Sequence, residues 1–369
     1  MPLPSSPGSV RAGVARRRLR PLLCGYYGEH NLGDDALLSV LLDQLPASVR
    51  PLVTAHDQEL VRSRFGVETV ERRSLAAVLA ALGRCDALVL GGGSLLQDAT
   101  SFRSLLYYAL LIAVARLRGR PALLWGQGLG PLRRRRSRLL VRALLPLVSG
   151  CSWRDPASAA LARRLGGGGV VGSDPVWAFP TVPWLGSGGP IVLCWRPLPH
   201  FDAARWRPYL EALERLAVAK DRAVIWLAFH GEQDGPLLGQ LEDRGLIGPA
   251  LRQRSRCQRP GDPAEALRSF QQAALVLAMR LHGLILAALA GAPCAALSYD
   301  PKVAAAAAAI GCPCHDVEGP PGAESTEAIV AALLASWQGA LECPPERQRI
   351  EAQRAGTAPH RELLGTWLP

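Results

Sequence analysis

The chain has 369 residues, enough for two domains of about 100 to 200 residues that each bury a core. Hydrophobic residues make up 49% and charged residues 20%, an ordinary globular composition that excludes a disordered chain. Much of the formal net charge of +11 comes from arginines clustered within residues 11–20 and 133–138. Such clusters favour a nucleic acid, an anionic membrane surface or an acidic substrate as partner, and composition alone does not choose among them.

Residues 1–20 are predicted to form a disordered basic arm, because proline, serine, glycine and arginine dominate there without apolar periodicity. The arm lacks the apolar core of a signal peptide, and later apolar stretches are interrupted before they reach the length of a membrane span. The nine cysteines are scattered, which indicates reduced thiols, and Cys312 and Cys314 have no second pair at zinc-like spacing. We therefore expect a cytoplasmic protein without a metal site.

From Pro21 onward, short apolar runs alternate with helical patterns, as is typical of βα units around a parallel sheet. In the first half, the predicted strands are Leu22–Gly25, Asp86–Leu90 and Ala122–Trp125, and the predicted helices are Asp34–Leu45, Ser104–Arg118 and Ser137–Leu147. A proline- and glycine-rich stretch then interrupts the pattern. We place the domain boundary near residues 180–190.

The alternation resumes after this boundary. Predicted strands are Ile191–Trp195, Ala223–Phe229, Leu275–Met279 and Cys294–Ser298, and predicted helices are Ala203–Ala219, Pro263–Ala273 and Leu281–Ala290. The sequence therefore predicts an α/β fold with two doubly wound, Rossmann-like halves, residues 21–185 and 186–340. Residues 341–369 are predicted to form a helical extension that packs back across the cleft between the halves.

Ligands of open parallel sheets bind at the carboxyl ends of the strands, so the loops at these ends are candidate sites. The first such loop is Gly25–Asp35, where glycines permit tight turns and Asn31 and Asp34 are candidates to cap the next helix. Its spacing matches neither the dinucleotide fingerprint nor the phosphate loop of ATP-binding proteins. Neither NAD nor ATP is therefore predicted.

The loop Gly91-Gly92-Gly93-Ser94-Leu95-Leu96-Gln97-Asp98 directly follows a buried strand. Three consecutive glycines there indicate that a ligand or another backbone approaches closely. Gln97 and Asp98 are candidates to accept hydrogen bonds from sugar hydroxyls. The next strand ends in a similar loop, Gly126–Pro131, and Arg154 follows shortly after, where ligand binding and a simple ion pair with Asp155 stay equal alternatives.

The sharpest motif is Arg280-Leu281-His282, which ends a predicted strand and begins a helix. A guanidinium binds carboxylate or phosphate with a planar fork, and an imidazole moves protons near neutral pH. The helix N-terminus adds partial positive charge. One strand later, Lys302 is predicted to reach the same sheet edge. The sequence therefore predicts a site for a small, multiply charged anion.

Together these motifs closely resemble the polysaccharide pyruvyltransferases of CsaB type, over about residues 21–315. The motifs that carry the resemblance are Gly25-Tyr26-Tyr27-Gly28 with Asn31 and Gly33-Asp34, Gly91–Asp98, Gln127–Pro131, Arg154-Asp155, Arg280-Leu281-His282 and Tyr299-Asp300-Pro301-Lys302. The resemblance implies a GT-B-like pair of Rossmann-type domains. It also implies phosphoenolpyruvate as donor, a sugar of a cell-surface polymer or its lipid-linked precursor as acceptor, and a pyruvate ketal as product.

Carried over position by position, the resemblance implies that the second domain binds the donor. It assigns donor binding or catalysis to Arg154, Arg280, His282 and Lys302, with a backbone contact at Leu281. It places Gly91, Gly92, Gly93 and Asp98 on the acceptor side of the cleft, where we also place Asn31 and Asp34. The carboxylate and phosphate of phosphoenolpyruvate need several cations, and we expect His282 to act as acid or base. Arginine and lysine can stabilise the leaving phosphate, so no cofactor or metal is expected beyond this co-substrate.

Two other classes of protein fit parts of the pattern. A GT-B glycosyltransferase that uses a nucleotide sugar would share the cleft, but no compelling carboxylate for the donor ribose stands in the second half. A non-catalytic module would bind an anionic glycan or a membrane through Arg133, Arg134, Arg135 and Arg136. Peripheral contact with an anionic membrane is also an option for the enzyme, whereas no nucleic-acid partner is predicted.

Overall fold

The structure, a computed structural model, describes residues 19–99, 101–317 and 325–368. Its first half is a parallel sheet of seven strands in the order β3-β2-β1-β4-β5-β6-β7. The strands are β1 Pro21–Cys24, β2 Leu52–Ala55, β3 Glu68–Glu71, β4 Ala87–Gly91, β5 Ala122–Gln127, β6 Gly150–Trp153 and β7 Val170–Val171. The helices are α1 Leu32–Gln44, α2 Gln58–Phe65, α3 Leu75–Gly83, α4 Phe102–Leu117, α5 Arg135–Leu144 and α6 Pro156–Arg164.

The second half is a parallel sheet of six strands in the order β10-β9-β8-β11-β12-β13. The strands are β8 Ile191–Cys194, β9 Val224–Leu227, β10 Ser255–Gln258, β11 Leu275–Ala278, β12 Cys294–Ser298 and β13 Cys314–Asp316. The helices that alternate with them are α7 Ala203–Ala219, α8 Gly231–Asp234, α9 Leu237–Asp243, α10 Pro249–Arg254, α11 Pro263–Gln271, α12 Leu281–Leu289 and α13 Pro301–Ile310. The predicted two-sheet α/β architecture is confirmed.

The central strands are buried on both faces because helices cover both sides of each sheet, as in other parallel sheets. Strand β1, for example, is fully buried between β2 and β4, with Leu22 paired to Leu52 on one side and Leu88 on the other. Helix α1 begins at an Asn31 cap, whose side chain accepts a hydrogen bond from the N–H of Gly33. The cap predicted at Asn31 is confirmed, and it sets where the first helix enters the cleft.

Three helices end the chain: α14 Thr326–Glu342, α15 Arg347–Ala355 and α16 Ala358–Trp367. Helix α14 packs on α7 of the second half, whereas α16 packs on β5 and β6 of the first. The His360 ring is buried, and its Nδ1 lies 2.8 Å from Ser152 Oγ while its Nε2 lies 2.7 Å from Ser173 O. The last helix is therefore part of the first half's core.

The basic arm predicted over residues 1–20 falls outside the described residues up to position 18. The last two residues of this predicted arm, Leu19 and Arg20, belong to the folded domain. Leu19 packs against the core, and Arg20 donates its backbone N–H to Asp86 and pairs its guanidinium with Glu68. The fold thus begins before Pro21, where the prediction had placed its start.

Candidate active site

The carboxyl edges of the two sheets face each other and touch. The N–H of Leu32 donates to Phe229 O over 3.0 Å, and the N–H of Gly231 donates to His30 O over 2.9 Å. These bonds join the loop after β1 to the loop after β9. Each side chain described below therefore faces a cleft whose two walls are in contact.

Two cations from opposite halves converge on one hydroxyl. Arg154 Nη2, after β6, donates to Ser94 Oγ over 3.0 Å, and Lys302 Nζ, in the first turn of α13, donates to the same oxygen over 2.9 Å. Burial, followed by the nearby charge of Arg154, lowers the pKa of Lys302. Because each positive charge disfavours the other, this arrangement suits a bound anion.

Arg154 has two counterions: Asp155, 3.7 Å from its Nε, and the buried Asp174. Its Nη1 donates to Asp174 Oδ2 over 3.1 Å, and both side chains are almost fully buried. Burial alone would raise the pKa of Asp174, but the charges of His282 and Arg154 outweigh it and hold this pKa well below its usual range. Asp174 is therefore ionised throughout the physiological pH range.

His282 stands in the first turn of α12, close to the ionised Asp174. Its Nε2 lies 3.5 Å from Asp174 Oδ2 and is buried with no hydrogen-bond partner among the described residues. On the other side of the ring, a β-carbon added to Gly33 would lie only 2.2 Å from Nδ1. Glycine at position 33 is thus what allows α1 to approach the imidazole so closely.

The residues predicted on the acceptor side divide into two groups. Asn31 Nδ2 donates to Asp34 Oδ2 over 2.5 Å, and a β-carbon added to Gly93 would lie 3.8 Å from Asp34 Oδ1. Burial raises the pKa of Asp34 to about 7, opposed by the charge of His282. Asn31, Asp34 and Gly93 are therefore brought together with His282 in one cluster.

Gly91, Gly92 and Asp98 serve the shape of the loop. Tyr27 Oη donates to Gly91 O over 2.6 Å, and Gly92 has a φ of +76°, which favours glycine. The Asp98 carboxylate accepts hydrogen bonds from the N–H groups of Arg133 and Arg134, next to the start of α5. These hydrogen bonds give Asp98 a capping role before α5. They do not support its predicted role on the sugar-acceptor side of the cleft.

Arg280 lies apart from the two converging cations. Its guanidinium forms a two-pronged ion pair with Asp234, whose side chain is only 1% exposed, and Nη2 also donates to Gln233 Oε1 over 3.2 Å. The structure thus gives Arg280 a counterion and a place in the cleft wall. The N–H groups of Leu281 and His282, in the first turn of α12, have no side-chain cap. Donor binding by Arg280 and Leu281 stays a prediction.

The sequence reasoning missed three functional candidates. Asp174 follows β7, an edge strand of two residues that is too short to be predicted from a run of apolar residues. Arg196 follows β8 and donates to Tyr299 Oη over 3.0 Å, with its charge 4.9 Å from the Tyr299 ring centre. Ser94 lies in the glycine-rich loop that was predicted to approach a ligand, but no ligand contact was assigned to its side chain. The rule that ligands bind at the carboxyl ends of strands, applied to every strand, would have found Arg196.

Two minor predictions concern cysteines and metals. Cys312 and Cys314 are free thiols. Over residues 19–99, 101–317 and 325–368, no group of three or more histidine, cysteine, aspartate or glutamate side chains is arranged to hold a metal ion. In the same part of the chain, no helix is long and apolar enough to cross a membrane.

Comparison with known families identifies one match in sequence. The family model described as "Polysaccharide pyruvyl transferase" matches residues 31–301, a range that includes Ser94, Arg154, Asp174 and His282. No match to a curated protein sequence was found.

Solved structures share the fold at low sequence identity. UDP-GlcNAc 2-epimerase from Neisseria meningitidis, bound to UDP-GlcNAc, superposes with a TM-score of 0.60 at 13% identity, over 94% of this chain and 100% of that one. The Methanocaldococcus jannaschii UDP-GlcNAc 2-epimerase gives 0.58 at 12%, over 93% and 99%. Anabaena Alr3699/HepE, in complex with UDP-glucose, gives 0.54 at 14%, over 95% and 97%. These similarities show the GT-B-like pair of Rossmann-like domains.

Proposed function

Since the chain belongs to the polysaccharide pyruvyl transferase family, and is therefore a transferase, we propose that phosphoenolpyruvate is its donor. The enolpyruvyl group is transferred to a sugar of a cell-surface polysaccharide or of its lipid-linked precursor. The product is a pyruvate ketal, and inorganic phosphate is released. The reaction takes place in the cytoplasm, and no cofactor is needed beyond the co-substrate.

The observation that carries this proposal is the convergence of Arg154 and Lys302 on Ser94 Oγ. Asp174 and Asp155 both pair with Arg154, whereas Lys302 has no carboxylate within ion-pair distance among the described residues. Phosphoenolpyruvate carries a carboxylate and a phosphate, and the free N–H groups at the start of α12 supply further donors for such a group. An anion placed between the cations replaces the hydroxyl that they now share.

His282 is the candidate acid. Its Nε2 makes no hydrogen bond among the described residues and lies 3.5 Å from the ionised Asp174, so a fixed carboxylate stands beside the proposed proton donor. In the first step, the methylene carbon of the donor takes a proton from His282, while an acceptor hydroxyl oxygen bonds to the central carbon and loses its own proton. In the second step, the bond from that carbon to the phosphate oxygen breaks and phosphate leaves with the electron pair. A second hydroxyl oxygen then bonds to the carbon and gives its proton to His282, which closes the ketal and restores the acid.

Asp34 is the candidate base for the acceptor hydroxyl. Its carboxyl lies between Asn31 and Gly93, on the acceptor side, and its pKa of about 7 lets it accept a proton near neutral pH. As a base it acts in its ionised form, so kcat/KM rises as the pH increases through about 7.

The experiment that tests the proposal uses purified protein with phosphoenolpyruvate and a panel of nitrophenyl and lipid-linked sugars. Mass spectrometry follows formation of the ketal, and a phosphate assay follows release of the leaving group. We expect both products in equal amounts with one acceptor class. Binding of a UDP-sugar with no binding of phosphoenolpyruvate overturns the proposal and favours a GT-B glycosyltransferase.

A further inference from the structure

The outer sides of two neighbouring helices, α4 and α5, lie on the same surface of the first half. Their inner sides share one core, with Leu105 and Ile112 of α4 packed near Val141 of α5. At one end, the Arg136 guanidinium lies 4.1 Å from the Phe102 ring centre, and at the other, Arg116 donates to Ser149 Oγ over 3.3 Å. The helices therefore run side by side in the same direction.

The outer side of α4 exposes a row of leucines. Leu106, Leu110 and Leu117 are 44%, 40% and 87% exposed, and their spacing of four and seven residues places them along one stripe of the helix. On α5, Leu139 is 66% exposed. Scattered single leucines are common on protein surfaces, but four exposed leucines on two neighbouring helices favour an interaction site.

Arginines surround these leucines, and no acid balances them. Between Asp98 and Asp155 the sequence contains eleven arginines and no acidic residue. We call the outer side of the two helices the α4–α5 face; its exposed members are Arg103, Leu106, Leu110, Leu117, Arg133, Arg134, Arg135, Leu139 and Arg142. None of these arginines forms an ion pair within the described residues.

We propose that the α4–α5 face docks on a membrane that contains anionic lipid. Leucines flanked by arginines suit the interface of a bilayer, where the apolar side chains enter the acyl boundary and the cations contact headgroup phosphates. A second copy of the chain fits poorly, because a symmetric contact would bring arginine against arginine. Nucleic acid would use the cations but leave the leucines without a partner.

The face also lies next to the cleft. Helix α4 begins four residues after Asp98, and the Asp98 carboxylate binds the backbone just before α5. Both helices therefore start at the edge of the sheet that carries Ser94 and Arg154. Docking through this face brings the cleft to a sugar held on a lipid carrier; this use, though not the docking itself, rests on the proposed function.

The test is co-sedimentation with vesicles of phosphatidylcholine alone or mixed with about one third phosphatidylglycerol, without donor or sugar. We expect binding only to the anionic vesicles, and a loss of roughly tenfold or more in affinity for the variant Arg133→Gln/Arg135→Gln/Arg142→Gln. The variant Leu106→Gln/Leu110→Gln/Leu139→Gln loses binding as well. All six side chains are exposed, so thermal unfolding should stay close to that of the parent protein.

The matched charge control is Arg207→Gln/Arg244→Gln/Arg256→Gln, three exposed arginines of the second half without ion pairs among the described residues. It retains vesicle binding. Equal losses in both arginine variants, or unchanged binding in the leucine variant, overturn the proposal. So does a dimer that the leucine variant dissociates, or binding to nucleic acid instead of vesicles. Because no donor is present, failure here leaves pyruvyl transfer to a soluble acceptor untouched, and the reverse holds too.

Discussion

Two clusters in the cleft contain the same three residue types in different arrangements. In the first, Arg154 pairs with Asp174, and His282 lies 3.5 Å from the same carboxylate. In the second, Arg280 pairs with Asp234, and the backbone N–H of His230 donates to that carboxylate over 2.8 Å. In the first cluster Lys302 donates to the same Ser94 Oγ as Arg154, whereas among the described residues no second cation shares a hydrogen-bond partner with Arg280.

The added cation is what distinguishes the proposed binding site. In the first cluster Asp174 and Asp155 both pair with Arg154, and Lys302 has no carboxylate within ion-pair distance among the described residues. In the second cluster Arg280 is paired with Asp234, and burial together with the charge of Arg280 lowers the pKa of His230. We therefore expect an anion to bind where a second cation without a counterion meets the arginine.

The largest expected difference is between the two histidines. His282→Ala removes the proposed acid, and we expect kcat for ketal formation to fall by roughly a hundredfold to ten-thousandfold. His230→Ala removes a side chain that caps α8 by accepting from the N–H of Gln233, so it should lower stability while kcat changes only a few fold. Steady-state kinetics and thermal unfolding measure the two effects. Equal losses of kcat would show that the clusters do not differ as proposed.

The two arginines provide the next contrast. Arg280→Gln leaves the buried Asp234 unpaired, and we expect a loss of about 3–5 kcal/mol in the free energy of unfolding. Adding Asp234→Asn restores most of that stability. Arg154→Gln also removes the partner of a buried carboxylate, Asp174, so it lowers stability too, but it should in addition raise the KM for phosphoenolpyruvate by about tenfold, the effect of losing one charged hydrogen bond. Adding Asp174→Asn does not restore this KM; a recovery there would mean that Arg154 serves only to neutralise Asp174.

Gly33 tests how closely α1 must approach the first cluster. An alanine at position 33 places a β-carbon against His282 Nδ1, and a shift of about 1 Å in a catalytic group can cost about a hundredfold in rate. We expect such a loss in kcat with little change in unfolding. Gly239→Ala is the control, since nothing lies within 4 Å of its added β-carbon. Full activity in Gly33→Ala excludes His282 from the chemistry.

The smallest effect is a pH dependence of stability from Asp34. Its pKa in the folded protein is about 7, above the unfolded value of about 3.9, so the folded state holds the proton more tightly. The contribution of Asp34 to the free energy of unfolding is fully present below about pH 4 and is lost as the pH rises towards 7. Asp34→Asn should therefore raise the free energy of unfolding at pH 8 while leaving it nearly unchanged at pH 4, with the exposed Asp43→Asn as control. Parallel pH curves for parent and variant contradict this.

Much of the fold follows from local sequence. Helix α7 is predicted at its observed bounds, and β1, β5 and β12 are predicted to within two residues, because buried parallel strands are short apolar runs. The segment 46–85 was not assigned. Its strand β3 reads Glu-Thr-Val-Glu and lies at the sheet edge, partly exposed, so neither apolar content nor burial marks it.

The site was predictable only in its cations. His282 and Lys302 follow strands directly, and the rule for parallel sheets finds them. Their counterions do not follow a local pattern: Asp234 precedes Arg280 by 46 residues and Asp174 follows Arg154 by 20. Sequence spacing gives no hint of these pairings. The ion pair that the sequence suggested between Arg154 and Asp155 is present, with 3.7 Å between Nε and Oδ2, whereas the buried partners Asp174 and Asp234 were not predicted.

Helix α16 has a mechanical consequence. The polypeptide leaves the first half once, between β7 and β8, and returns to it once, before α16 locks against Ser152 and Ser173 through His360. The two halves are therefore joined by two chain connections. The second connection therefore limits how far the two halves can separate, because a displacement that opened the cleft widely would have to pull α16 away from Ser152 and Ser173.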